Sequence, residues 1–275
     1  MSAPDDPPDG ARGDPWAALA GLTPARVALG RAGASLPTRE VLRLALDHAR
    51  ARDAVHLPFD SGNVASEIEA LGFATLTVSS QAADRTTYLR RPDLGRRLAD
   101  ESRRRLAEAG ADWEPVMVVV ADGLSSAAIH AHAAAVITAL ATRLADVGLR
   151  RGPVVLARQA RVAIGDEIGE IAGAQLVVLL VGERPGLSSP DSLGAYLTIA
   201  PRVGRTDAER NCVSNIRASG LPPAEAAHRI AWLAKEALRR GLTGVALKDD
   251  SPPFVAAVAA ATPAAPAGRP LNSPS

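Results

Sequence analysis

Apolar residues fall into two rhythms along this chain, and the change comes near residue 115. Before it the spacing is helical. Leu36-Pro37-Thr38-Arg39-Glu40 opens a helix with Ser35 or Thr38 as its cap and an acidic first turn, and Val41, Leu42, Ala45, Leu46 and Ala49 then repeat at helical spacing. A second helix is predicted over 63–71, with Glu67 and Glu69 facing water, and a third, very basic one over 92–109. Beyond the change, unbroken apolar runs at 115–121, 154–157, 176–181 and 193–200 read as strands, interleaved with helices over 127–147, 164–172 and 223–240. Strands without polar alternation are buried on both faces, and strand–helix alternation joins them in parallel. The expected fold is therefore α/β: a mainly helical N-terminal domain, 16–110, followed by a Rossmann-like domain, 111–248, with a mostly parallel sheet. The acidic, Pro-rich stretch 1–15 and the Ala/Pro-rich stretch 249–275 are expected to be disordered tails.

Composition removes several function classes. A net charge of +1 over 275 residues gives no broad pull toward nucleic acid, and 3% aromatics leave few platforms for stacking bases. Lys235 and Lys248 are the only lysines; the arginine excess follows the Ala-rich composition, although arginine also suits bidentate contacts at interfaces. Cys212 is the single cysteine, so neither an internal disulfide nor a multi-cysteine metal site is expected, and the cytoplasm is the expected compartment. The N-terminal residues carry no basic and then apolar leader pattern, and no uninterrupted apolar run approaches the roughly 20 residues that span a bilayer.

The candidate chemistry sits in loops. Gly182-Glu183-Arg184-Pro185-Gly186-Leu187-Ser188-Ser189-Pro190 ends an apolar strand with a Glu-Arg pair and a turn-rich loop, at the strand end where α/β sheets bind ligands. Asp122-Gly123-Leu124-Ser125, at a strand-to-helix turn, reads equally as a helix cap and as a ligand loop; it is not the Gly-x-Ser-x-Gly of a serine hydrolase. Gly30-Arg31-Ala32-Gly33 lacks the Gly-Lys-Ser/Thr ending of a phosphate loop. The polar run 81–92 serves solvent or a contact surface. His130 and His132, two apart on a helix, point to different faces and make no metal pair. Cys212 alone reads as a small core residue, but Asn211, Ser214 and Asn215 around it suit a ligand rich in amides.

Taken in order, these segments resemble a known family. Gly30-Arg31 through Leu36-Pro37-Thr38-Arg39-Glu40, Asp47-His48 through Val55-His56, Asp84-Arg85 with Tyr88-Leu89, Asp122-Gly123-Leu124-Ser125, Gly165-Asp166-Glu167, Gly182-Glu183-Arg184-Pro185-Gly186 and Cys212-Val213-Ser214-Asn215 resemble the small (light) subunit of adenosylcobalamin-dependent ethanolamine ammonia-lyase, over roughly 27–240. The resemblance implies a complex with a large, TIM-barrel subunit that binds ethanolamine and hosts radical chemistry yielding acetaldehyde and ammonia. Adenosylcobalamin would lie at the subunit interface, and its contacts on this chain would be Val162, Glu183 and Cys212, with no catalytic residue and no metal ligand here. The Asp-x-His-x-x-Gly pattern of base-off cobalamin proteins is absent, so base-on binding is expected. Enclosure of the complex in a bacterial microcompartment is left open. So are two other readings: a non-catalytic scaffold whose polar loops only dock a partner, and a stand-alone nucleotide-binding enzyme, against which the missing glycine fingerprints count.

Overall fold

Seven consecutive buried residues, Leu176–Gly182, form the centre of the structure, a computed structural model that describes residues 16–23, 25–110, 113–150 and 152–255. This strand, β4, belongs to a sheet in which β1 (Thr75–Ser79), β3 (Val154–Arg158), β2 (Val116–Ala121) and β4 lie in that order and run parallel, followed by β5 (Leu193–Ile199) and β6 (Asn211–Ile216). The alternate side chains of β4 enter two separate cores. Leu176, Val178 and Leu180 face one; Val177, Leu179 and Val181 face the other. Each such side chain contributes roughly 1.5–3 kcal/mol on burial.

The helices supply the two covering layers. α5 (Ser126–Asp146) and α7 (Pro223–Arg240) pack together over the first core, joined by α2 (Ser61–Ala70). α4 (Asp100–Glu108) and α6 (Ile164–Ala172) form the second layer, with Gly165 and Gly169 letting α6 lie directly on Leu179 and Val177. Among the described residues α5 is the one helix long and apolar enough to cross a membrane; here its Ala128, Ile129, Val136, Ile137 and Leu140 are buried in the first core.

The α/β class and the mostly parallel sheet are as the pattern predicts, with corrections. β1 arises within 16–110, the segment expected to be mainly helical, and forms the sheet's edge beside β3, so both sides of residue 110 build one sheet. This outermost strand precedes the inner ones in the chain, which a Rossmann order does not allow. β5 is antiparallel to both neighbours, because the connection from β4 holds no crossover helix. The basic helix expected over 92–109 is shortened to α4. The first helix, α1 (Thr38–His56), has Pro37 at its cap and no side-chain cap bond from Ser35 or Thr38. Its repeating Val41, Leu42 and Leu46 are at least half exposed, and Ala54 is its only buried residue. Short α3 (Arg85–Arg90) occupies the polar run, capped by the Asp84 carboxylate, which accepts from the Thr87 amide at 2.8 Å. The expected C-terminal tail begins packed: His228 meets the Pro252 carbonyl at 2.9 Å, and the Phe254 ring lies beside His228 and under the Arg143 guanidinium. Residues 1–15 and 256–275 of the expected tails lie outside the described residues.

The end of β4 is fixed by close backbone approach. A Cβ at Gly182 would meet the Ser125 carbonyl oxygen at 2.0 Å, and Gly123, at φ +57°, leaves the reciprocal space. Gly182→Ala is expected to lower stability by roughly 1–3 kcal/mol or more, because only backbone can yield. Urea unfolding checks this; an unchanged midpoint contradicts the packing argument.

Candidate functional site

The second helical layer does not extend over the far face of β5 and β6, which side chains cover in part. α7 covers them on the first-core side, where Leu193, Ala195, Leu197, Val213 and Ile216 are buried. On the other side α6 lies over β4, Glu183 covers Gly194 and Arg210 covers Thr198, Tyr196 is half-buried, and Cys212, paired directly opposite Tyr196, is exposed. The loop from β3 to α6 rises beside this face, and Val162, Tyr196, Arg161 and Arg96 line a cleft of about 460 Å³ at that edge.

Glu183 reaches this face from the end of β4. A Cβ at Gly194 would stand 2.7 Å from Glu183 Oε1, so the absence of a side chain at 194 is what lets the carboxylate lie over β5. Glu183 Oε2 accepts from the Ser192 hydroxyl at 2.5 Å and from the Asn215 amide at 3.3 Å, whereas Oε1 takes no hydrogen bond from the described residues. A bulge in β6 aims that amide: Asn215 sits at φ +58°, a left-handed conformation that Asn tolerates, and the register slips between Leu193 and Ala195. The carboxylate is thus held by one oxygen and offers the other.

The three residues singled out from the sequence come together here. Val162 lines the cleft with Tyr196, Tyr196 stands opposite Cys212 across the strands, and the charge of Glu183 is felt by both. Cys212 is exposed, which removes the core reading. Val162 lies four residues past the end of β3, and Cys212 is the second residue of β6. Although its edge is open, crowding around the sulfur pushes the Cys212 thiol above its ordinary value; the Tyr196 hydroxyl opposes this and Glu183 adds to it. Such a thiol stays neutral and is a contact rather than a nucleophile. Desolvation first, then Cys212 and Glu183, push the Tyr196 phenol up as well.

The family profile described as ethanolamine ammonia-lyase light chain (EutC) matches residues 13–248. The chain belongs to that family. It is 60% identical over 230 residues to the ethanolamine ammonia-lyase small subunit of Rhodopseudomonas palustris, covering 84% of this chain and 88% of that protein. It is 59% identical to the same subunit of Bradyrhizobium diazoefficiens over 85% of this chain and 90% of that one, and 54% identical to that of Xanthomonas campestris over 91% and 92%. The protein is therefore a small subunit of ethanolamine ammonia-lyase, a lyase that has a large subunit as its counterpart.

In this light chain the β5–β6 face rests on two buried networks that sequence reasoning did not find. Arg210 grips Asp166 of α6 through both guanidinium ends, at 2.6 and 2.7 Å, and also bonds Thr198 Oγ1 at 2.9 Å, tying α6 to β5 beneath the cleft. Burial pushes the Asp166 carboxyl up and the guanidinium pulls against it. The second network resolves the Asp122 loop. Ser125 caps α5 by accepting from the Ala128 amide at 3.3 Å, and it donates to the Pro190 carbonyl at 2.8 Å. Asp122 instead accepts from the Gln159 and Ala160 amides at 3.0 and 2.8 Å, closing the crevice between β2 and β3 and setting the path of the loop that carries Val162. Arg85 stands 3.6 Å from Asp122, donates to the Gly123 carbonyl, and stacks on Tyr88, whose other cation contact is Arg161. The histidines serve the fold separately: His130 accepts from the Asp60 amide at 3.1 Å, and His132 meets Asp191 at 3.2 Å.

Asp122 has a pH signature. Burial pushes its carboxyl up to about 6, against the Ala160 hydrogen bond and Arg85. The folded state holds the proton longer than the unfolded one, so the stability this group contributes is full below about pH 4 and is lost as pH rises through about 6. Unfolding free energies of the protein and of Asp122→Asn between pH 4 and 7 are expected to diverge in slope by at most about 3 kcal/mol in total. Parallel profiles contradict the assignment.

Proposed function

We propose that this small subunit, joined to its large subunit, holds adenosylcobalamin at their interface and supports the deamination of ethanolamine to acetaldehyde and ammonia. The observation that carries the reading is that Glu183 and Cys212 lie on the β5–β6 face and Val162 in the cleft that Tyr196 joins to it, with no hydrogen bond to Glu183 Oε1 from the described residues. The donor set suits the group. Amide side chains on the corrin rim donate hydrogen bonds, which a carboxylate accepts strongly. Val162 offers apolar surface and a backbone group, and Cys212 a small neutral contact on exposed β6. When bound, adenosylcobalamin supplies the adenosyl radical that starts the reaction.

The chain's own part is binding and orientation. Glu183 is positioned by Ser192 and Asn215, and its Oε1 would accept a hydrogen bond from a rim amide. Val162 is positioned by the Asp122 bridge. Ethanolamine and the reacting atoms fall to the large subunit, and no residue of this chain is assigned a catalytic role. The apolar stripe of α1, with Val41 at 50%, Leu42 at 64% and Leu46 at 50% exposure, is the surface this reading gives to the large subunit. The cytoplasm is the compartment that goes with it.

In the complex, Glu183→Ala is expected to weaken adenosylcobalamin binding by roughly tenfold to a hundredfold, the scale of a hydrogen bond to a charged group, with subunit association intact. Equilibrium dialysis or absorbance titration measures it. Gly194→Ala is expected to weaken binding in the same direction, because the added Cβ displaces the Glu183 carboxylate. Unchanged affinity in both variants would remove Glu183 from the site and favour the scaffold reading.

A further inference from the structure

The cleft beside Val162 is lined by four arginines, and they are not equivalent. Arg205 is neutralised by Glu209 and bonded to the Ile199 and Ala200 carbonyls, and Arg210 is neutralised by Asp166 and Asp207, although its Nε, 3.5 Å from Asp207, makes no hydrogen bond. Arg161 and Arg96 pair with no carboxylate among the described residues. Arg161 is held in place: its guanidinium lies 4.5 Å from the Tyr88 ring centroid, its Nη2 donates to the Tyr88 carbonyl at 3.1 Å, and its own amide donates to the Gly95 carbonyl at 2.8 Å. Yet its Nε is buried with no acceptor. A guanidinium fixed at the edge of a cleft without a carboxylate partner is a charge that an anionic ligand can compensate. Arg96, exposed on the turn Leu94–Arg96, lines the same cleft. Two uncompensated guanidiniums, one of them rigid, make a fork suited to the oxygens of a phosphate-type anion.

We infer that Arg161 and Arg96 form an anion subsite that receives the phosphodiester of the cofactor's nucleotide arm. The inference rests on the cobalamin reading above and extends it, because Tyr196 joins this cleft to Cys212 and so to the rest of the β5–β6 face. The subsite adds a charge-based contact to a face that otherwise offers one carboxylate and neutral groups.

The test is equilibrium binding of two truncated cofactors, adenosylcobinamide and adenosylcobinamide phosphate, to the complex of this chain with its large subunit. The wild-type complex is expected to bind the phosphate-bearing analogue about tenfold more tightly. Arg161→Gln and Arg96→Gln are expected to lose that preference while keeping affinity for adenosylcobinamide, and Arg161→Lys to keep part of it. Arg96 is exposed, so its variant separates the anion contact from any packing effect at Arg161. The inference is overturned if the variants weaken both analogues equally, if they change neither, or if they weaken only subunit association, which would assign the arginines to an acidic surface of the large subunit. Loss of both analogues in Glu183→Ala with no effect of the arginine variants would leave the cofactor reading standing and remove the subsite. A wild-type complex that binds neither analogue nor adenosylcobalamin would overturn both.

Discussion

Burial of β4 on both faces is the constraint from which the rest of the structure follows. A strand with Leu176, Val178 and Leu180 on one side and Val177, Leu179 and Val181 on the other demands a helical layer on each. α5 and α7 meet the first demand across the sheet out to β6. α4 and α6 meet the second only as far as β4. The two-layer requirement is thus met by helices at the centre and by Glu183, Tyr196 and Arg210 at one flank, which carries the candidate site.

The flank is built from small residues and paired polar groups. Gly194 leaves a hollow into which the Glu183 carboxylate falls; Asn215, in its left-handed bulge, turns an amide toward that carboxylate. Beneath, the Arg210–Asp166 pair fills space that an apolar side chain could also fill, and its bidentate geometry fixes the orientation of α6 against β5. Asp122 occupies the crevice between β2 and β3 that open α/β sheets commonly give to a ligand.

Much of this was legible in the sequence, for identifiable reasons. The central strands and α5, α6 and α7 announce themselves by unbroken apolar runs and long helical periods, and their predicted bounds lie within a residue or two of those observed. The two edge strands were not legible. β1 reads Thr-Leu-Thr-Val-Ser, half polar, and sits between helical segments; in β6 the bulge breaks the alternation, so Val213 and Ile216 fall three apart. The antiparallel turn of β5 was readable in principle, since residues 183–192 are too few for a crossover. The outward face of α1 was not, because helical periodicity reports an apolar stripe without saying what covers it. Of the site, Glu183 was visible as an acidic residue out of place at the end of an apolar strand. Cys212 stood out through the Asn211, Ser214 and Asn215 around it, whereas Val162 carries no mark in its own chemistry and came from the family resemblance. Arg161 and Arg210 were hidden among many arginines, since only the fold distinguishes a paired guanidinium from an orphaned one.

The central claim is that this chain does half of one enzyme's work by completing a cofactor site it cannot use alone. The most direct measurement is ammonia release from ethanolamine, with adenosylcobalamin present, by this chain, by the large subunit from the same genome, and by the two together. The account predicts activity in the mixture only. Full activity from the large subunit alone, or none from a mixture whose large subunit is folded and loaded with cofactor, would contradict it.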